Sequence, residues 1–205
     1  MQKYKRFIVG QLETNSYIVY SEETKSCFII DPADKSDEMN DFIYKNNLKP
    51  LYVILTHGHM DHCGGAKFFC DEYNIKIMIH TADVDLIFSS INLQLKDNLG
   101  LSEPPKPTRF LEDNESIEEA DLKLKVLHTP GHTPGSISLL FDKTILSGDT
   151  LFFGSIGRTD LPGGNYETIQ KSLAKLITFP DNTEILPGHG DFTTIGQEKR
   201  INPFL

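Results

Sequence analysis

The chain has 205 residues, 39% of them hydrophobic, with 20 basic and 29 acidic side chains and a formal net charge of −9. This is the balance of an ordinary globular protein, long enough to bury a substantial core. It offers no basic surface to a polyphosphate, so nucleic acid is excluded as an expected partner. No apolar run approaches the roughly 20 residues of a membrane-spanning helix.

Three short apolar or β-branched runs open the chain, at 7–9, 17–20 and 27–30, separated by turn-prone residues and closed by Asp31-Pro32. Residues 36–47 have helical spacing, with Met39, Phe42 and Ile43 on one face. A buried-type strand at 51–55 runs into a histidine-rich segment, and 66–73 reads as a helix. A strand at 75–79 and a helix at 82–88 follow. Gly100, Pro104, Pro105 and Pro107 break regular structure over 96–108, read as a loop or insertion. The acidic stretch 112–121 reads as a solvated face. Strands resume at 122–127, 136–141 and 144–146, then a helix at 166–177, a strand at 184–186 and a short helix at 197–201. The order implies two sheets covered by helices, an α/β layered sandwich in one domain spanning 1–205.

The most informative segment is Thr56-His57-Gly58-His59-Met60-Asp61-His62. Imidazole and carboxylate are common ligands of zinc and non-haem iron, and this density of them is not a packing pattern. In extended backbone alternate side chains share a side, so His57 and His59 face one ion, while Asp61 and His62 turn elsewhere and suit a second. Three later features add donors at strand ends. His132 sits in the turn His128-Thr-Pro-Gly-His132-Thr-Pro-Gly, Asp149 follows Leu146-Ser-Gly, and His189 lies in Pro187-Gly-His-Gly. Five imidazoles and two carboxylates exceed the needs of one catalytic zinc and match two divalent ions.

The motif H-x-H-x-D-H followed by a distant His, Asp and His resembles the metallo-beta-lactamase superfamily over 7–189, nearly the whole chain. The resemblance implies a four-layer αββα sandwich. It assigns His57, His59 and His132 to one metal and Asp61, His62 and His189 to the other, with Asp149 as bridge. Zinc is the expected metal, with iron and manganese as alternatives. Asp61 and Asp149 are then the catalytic carboxylates, acting with a hydroxide held between the ions. The stretch from Gly148 to Gly164, with Gly-Arg158-Thr-Asp160, is similar to small glyoxalase II-type hydrolases, which cleave thioesters such as S-lactoylglutathione. A thiolate leaves without a dedicated acid, because its pKa is about 8.5. The expected partner is therefore a small-molecule thioester. Longer glyoxalase II enzymes carry a helical C-terminal domain that grips glutathione, and the 16 residues after His189 (205 − 189) do not provide one.

By the same resemblance Arg158 and Tyr166 are the candidate substrate contacts, with Arg158 equally readable as a local ion pair to Asp160. Asp31 reads either as a hydrogen-bond acceptor behind the metal loop or as a plain turn residue. Residues 96–108 read as a lid or as a surface loop. His80 and His128 fall outside the motif and read as packing or supporting groups, and Cys63 as a small core residue. Alternatives on the same fold are a mononuclear iron persulfide dioxygenase and a lactonase or other ester hydrolase. Cys27, Cys63 and Cys70 are odd in number and lack disulfide spacing, and no apolar signal segment follows Met-Gln-Lys-Tyr-Lys-Arg, so the expected compartment is the cytoplasm.

Overall fold

The structure is a computed structural model and describes residues 2–205. Two six-stranded sheets face each other. The first has strand order β1-β2-β3-β4-β5-β6: Gln2–Val9, Thr14–Ser21, Ser26–Ile30, Lys49–Ile54, Lys76–His80 and Arg109–Leu111. The second contains β7 (Ser116–Glu119), β8 (Leu122–His128), β9 (Ile137–Phe141), β10 (Thr144–Gly148), β13 (Glu184–Pro187) and β14 (Thr193–Thr194), in the order β14-β13-β10-β9-β8-β7. A small hairpin, β11 (Leu151–Phe152) with β12 (Ser155–Ile156), sits between β10 and β13 in sequence. The helices are α1 (Asp37–Lys45), α2 (Met60–Cys63), α3 (Ala66–Tyr73), α4 (Val84–Ile87), α5 (Ser90–Leu99), α6 (Tyr166–Leu176) and α7 (Ile195–Ile201).

Side-chain alternation along the strands builds the layers. In the first sheet Ile18, Ile29, Val53 and Ile77 point outward and pack with Met39 and Ile43 of α1 and Phe69 of α3. Their neighbours Val19, Phe28, Ile30, Ile54 and Met78 point inward. There they meet Leu124, Val126, Ile137, Leu139, Leu146 and Leu186 of the second sheet. The outer face of that sheet, through Leu127, Ile145 and Ile185, packs on Ile169, Leu173 and Leu176 of α6. Strands buried on both faces must read as continuous apolar runs, and β3 does so from Cys27 to Ile30, as does the end of β4 at Val53 and Ile54. The result is the expected αββα sandwich.

Three local expectations need correction. Residues 90–99 form α5, which the sequence reading missed, so the irregular stretch begins at Gly100 and not at 96. In that helix Ile91, Leu93 and Leu95 alternate as in a strand, and only Asn92 is fully buried. The segment 112–121 is not only a solvated face. It contains β7, an edge strand paired to β8 and anchored by the buried Ile117. The helix expected at 82–88 is split into a 3₁₀ turn at Thr81–Asp83 and α4.

Pairing also brings donor-bearing loops to one edge. β10 and β13 run parallel with Gly148 beside Pro187, so Asp149 and His189 leave the sheet together. The Ile137 amide donates to the Thr56 carbonyl at 2.8 Å, joining the two sheets where β4 ends.

Candidate metal centre

All seven expected donors converge. His57, His59 and His132 present ring nitrogens within 4.8 Å of one another, and Asp61, His62 and His189 form a second set with the same spread. Asp149 lies between the sets. Its Oδ2 is 3.6 Å from His132 Nε2 and 3.7 Å from His189 Nε2, and its Oδ1 is 3.4 Å from His62 Nε2. Asp61 Oδ2 lies 3.3 Å from His189 Nε2.

The backs of the rings fix which nitrogens face inward. His62 Nδ1 is 3.0 Å from Asp31 Oδ2, and a carboxylate can only accept, so Nδ1 donates. His132 Nδ1 donates to the Arg158 carbonyl at 2.8 Å. In each ring the other nitrogen, Nε2, faces the centre. His132 Nε2 is then 2.9 Å from His59 Nδ1, and His62 Nε2 is 3.3 Å from His189 Nε2. At these distances each nitrogen pair needs a proton or a metal cation between its members. His57 Nε2 and Asp149 Oδ1 are buried with no hydrogen-bond partner. A buried orphan of either kind is costly, and metal coordination satisfies both. The residues therefore fit divalent cations.

Electrostatics agree. Burial opposes a charge on His62, yet Asp149, Asp61 and Asp31 outweigh it and hold its pKa up at about 10. That is a locus demanding positive charge, which bound metal would supply in place of a proton. Burial, then His132, pushes His59 down to about 4, and burial with the surrounding imidazoles pushes His57 well below its usual value. Both stay neutral, the form that ligates metal. Burial raises Asp61, but His62 and His189 outweigh it and keep the carboxyl below the ordinary range.

Supporting groups were partly legible. Asp31 is an acceptor behind the metal loop: Oδ1 takes the Thr56 amide at 2.7 Å and Oδ2 the Thr56 hydroxyl at 2.6 Å. His128 stacks on His80 at 4.1 Å and its Nε2 lies 2.9 Å from the Pro134 carbonyl, bracing the turn that carries His132. Cys63 is a core residue. Gly131 in that turn has φ of 135°, and a Cβ there would overlap the Ile169 backbone in α6.

Two groups escaped the sequence reading. The buried Asp83 accepts from Gly58 N at 2.9 Å, Thr133 Oγ1 at 2.6 Å and Gly135 N at 2.6 Å, tying the first histidine loop to the second. Asn92 accepts from Met60 N at 3.2 Å and donates to the Gly58 and Leu86 carbonyls. An acid three residues past a strand and an Asn inside a helix carried no local signal of either task.

The two expected substrate contacts fare differently. Arg158 borders the cleft over the donors, but Asp160 grips its guanidinium with two bonds, at 2.9 and 2.8 Å. Tyr166 begins α6, is 53% exposed and does not line that cleft. Of the stretch 96–108, expected as a lid or a surface loop, Asn98 borders the cleft as part of α5, whose Ile91 and Leu95 form the wall with it.

Two packed sheets with helices outside, and paired His/Asp sets at one sheet edge, define an α/β metallo-hydrolase domain. More particularly, the chain belongs to the metallo-beta-lactamase superfamily, whose family model matches residues 9–189. It is 36% identical to the probable metallo-hydrolase YqgX of Bacillus subtilis, over 99% of this chain and 97% of the relative. It is 38% identical to hydroxyacylglutathione hydrolase GloC of Haemophilus influenzae, over 96% of this chain and 95% of that one. Among solved structures, the BLEG-1 B3 metallo-beta-lactamase superposes with TM-score 0.91 at 33% identity, covering 99% of both chains. TTHA1623 in a di-iron-bound form superposes with TM-score 0.88 at 35% identity, covering 98% of this chain and all of the other. Among the described residues no helix is long and apolar enough to cross a membrane.

Proposed function

We propose that the chain is a thioesterase of glyoxalase II type working with two divalent cations. His57, His59 and His132 hold one, Asp61, His62 and His189 the other, and Asp149 belongs to both. The observation that carries this reading is the Asp149 carboxylate lying within 3.4 to 3.7 Å of imidazoles from both sets. The likeness to the hydroxyacylglutathione hydrolase GloC of Haemophilus influenzae supports thioester hydrolysis. Zinc is the expected metal, and the donor chemistry accepts iron or manganese.

When bound, such ions acidify water and polarise a carbonyl oxygen. The chain's own residues prepare for that. Asp31 and the Arg158 carbonyl hold protons on His62 Nδ1 and His132 Nδ1, which keeps both Nε2 lone pairs inward. Asp61 stays ionised beside His189. A thiolate departs without an acid partner.

The test pairs metal analysis with turnover. The purified chain should hold two divalent ions per molecule and cleave thioesters, S-lactoylglutathione among them, in a chelator-sensitive way. Asp149→Ala should lose both metal and turnover. One iron per chain with oxygen uptake on a persulfide would replace this reading with the dioxygenase alternative.

A further inference from the structure

The cleft above the donors has a volume of about 650 Å³, ample for a small ligand. Its floor is polar and belongs to the donor set, but its walls are different. Leu12 comes from the turn between β1 and β2, Ile91 and Leu95 from α5, Phe152 from β11, and Leu161 from the loop ahead of α6. Leu12 and Ile91 are 46% and 40% exposed. Apolar side chains from four separate elements are thus gathered, partly open to solvent, around one opening. The neutral amides Gln94 and Asn98 complete the α5 side.

Charge is scarce on these walls. Among the described residues lining the cleft, Arg158 is the one cation outside the donor set, and Asp160 already takes both arms of its guanidinium. A glutathione arm carries two carboxylates and an ammonium group. Docking it here would strip water from those charges and return little for them. An aliphatic arm would instead remove apolar wall and apolar ligand from water together.

We infer that the substrate arm lying along Leu12, Ile91, Leu95, Phe152 and Leu161 is uncharged and aliphatic. The favoured substrate class is then a thioester with an uncharged aliphatic acyl arm and a neutral thiol arm, ahead of S-lactoylglutathione. This rests on the thioesterase reading above. Water adds to the acyl carbon, the C–S bond breaks with its electron pair on sulfur, and the products are a carboxylic acid and a free thiol.

The full metal-loaded chain would be assayed on N-acetylcysteamine thioesters from acetyl to octanoyl, beside S-lactoylglutathione. We expect kcat/KM to rise about two- to fourfold per added methylene, with the octanoyl ester at least about tenfold ahead of S-lactoylglutathione. A series flat in chain length, with S-lactoylglutathione in front, would overturn the inference. Calorimetric binding of two inert thioethers, S-octyl-N-acetylcysteamine and S-octylglutathione, gives a second readout independent of turnover. Tighter binding of the neutral compound supports the apolar arm, and tighter binding of the glutathione compound refutes it. If no thioester is cleaved yet the neutral thioether still binds better, the thioesterase reading fails while the character of the cleft stands.

Discussion

Asp31 Oδ2 lies 3.0 Å from His62 Nδ1, and both side chains are buried. Asp31 closes β3 in a left-handed conformation, φ 47°, which aspartate tolerates better than most residues. From there its other oxygen takes the Thr56 amide, so one carboxylate fixes both the start of the histidine loop and a ring within it. Asp31→Ala should leave His62 free to rotate and to lose its Nδ1 proton. We expect metal affinity to fall roughly 10–100-fold, read by competition with a chromophoric chelator. Unchanged affinity would show that the ring is held by packing alone.

Asp83 predicts a different outcome. Replacing it with alanine strands three donors, the Gly58 and Gly135 amides and the Thr133 hydroxyl. Each buried donor without an acceptor costs about 1–3 kcal/mol. Asp83→Ala should therefore lower the denaturant midpoint of the metal-free protein as well as weaken metal binding. Thr133→Val removes one donor with its bond and should cost less than Asp83→Ala in the same melt.

Gly188 is a spatial requirement. A Cβ there would strike Asp149 Oδ1 and come within 2.7 Å of His62 Cε1. Gly188→Ala should fold, since its backbone is not in the left-handed region, but it should push the shared carboxylate out of line. The expected signature is reduced metal stoichiometry with little change in the far-ultraviolet circular dichroism. Full metal content would contradict the close approach.

A pH effect should appear far from the centre. Tyr4 of β1 donates to Glu184 Oε2 of β13 at 2.9 Å, linking the two sheets. Burial, then the hydrogen bond to Glu184, raises its pKa to about 12. A group whose folded pKa lies above its unfolded value of about 10 contributes stability fully below that pH and loses it as pH climbs toward the folded value. Stability should thus decline between about pH 10 and 12, and Tyr4→Phe should flatten that part of the curve. Equal slopes in wild type and variant would dismiss the link.

The site was legible wherever its chemistry is compressed in sequence. His57 to His62 fall within six consecutive residues running from the end of β4 into α2, and His132, Asp149 and His189 each stand beside glycines in the turns that follow strands. The layers followed from alternation in strands such as Ile18 against Val19. What escaped depends on partners distant along the chain. Nothing near Asp83 announces Thr133 and Gly135, which lie 50 and 52 residues away. Helix α5 hid because its one fully buried residue is an asparagine bonded to the Gly58 and Leu86 carbonyls, with no continuous apolar stripe. The sequence left Arg158 open between a substrate contact and an ion pair with Asp160; the fold shows the ion pair, and it alone revealed that the Arg158 main-chain oxygen serves His132.

The first and last donors are 132 residues apart in the chain (189 − 57), with contributions from both sheets. Synthesis proceeds from the amino end, so the first three histidines leave the ribosome long before the last one exists. A growing chain lacks the complete donor set until His189 has been made. The two donor sets come together only once both sheets have met, so metal retention would report on completed folding.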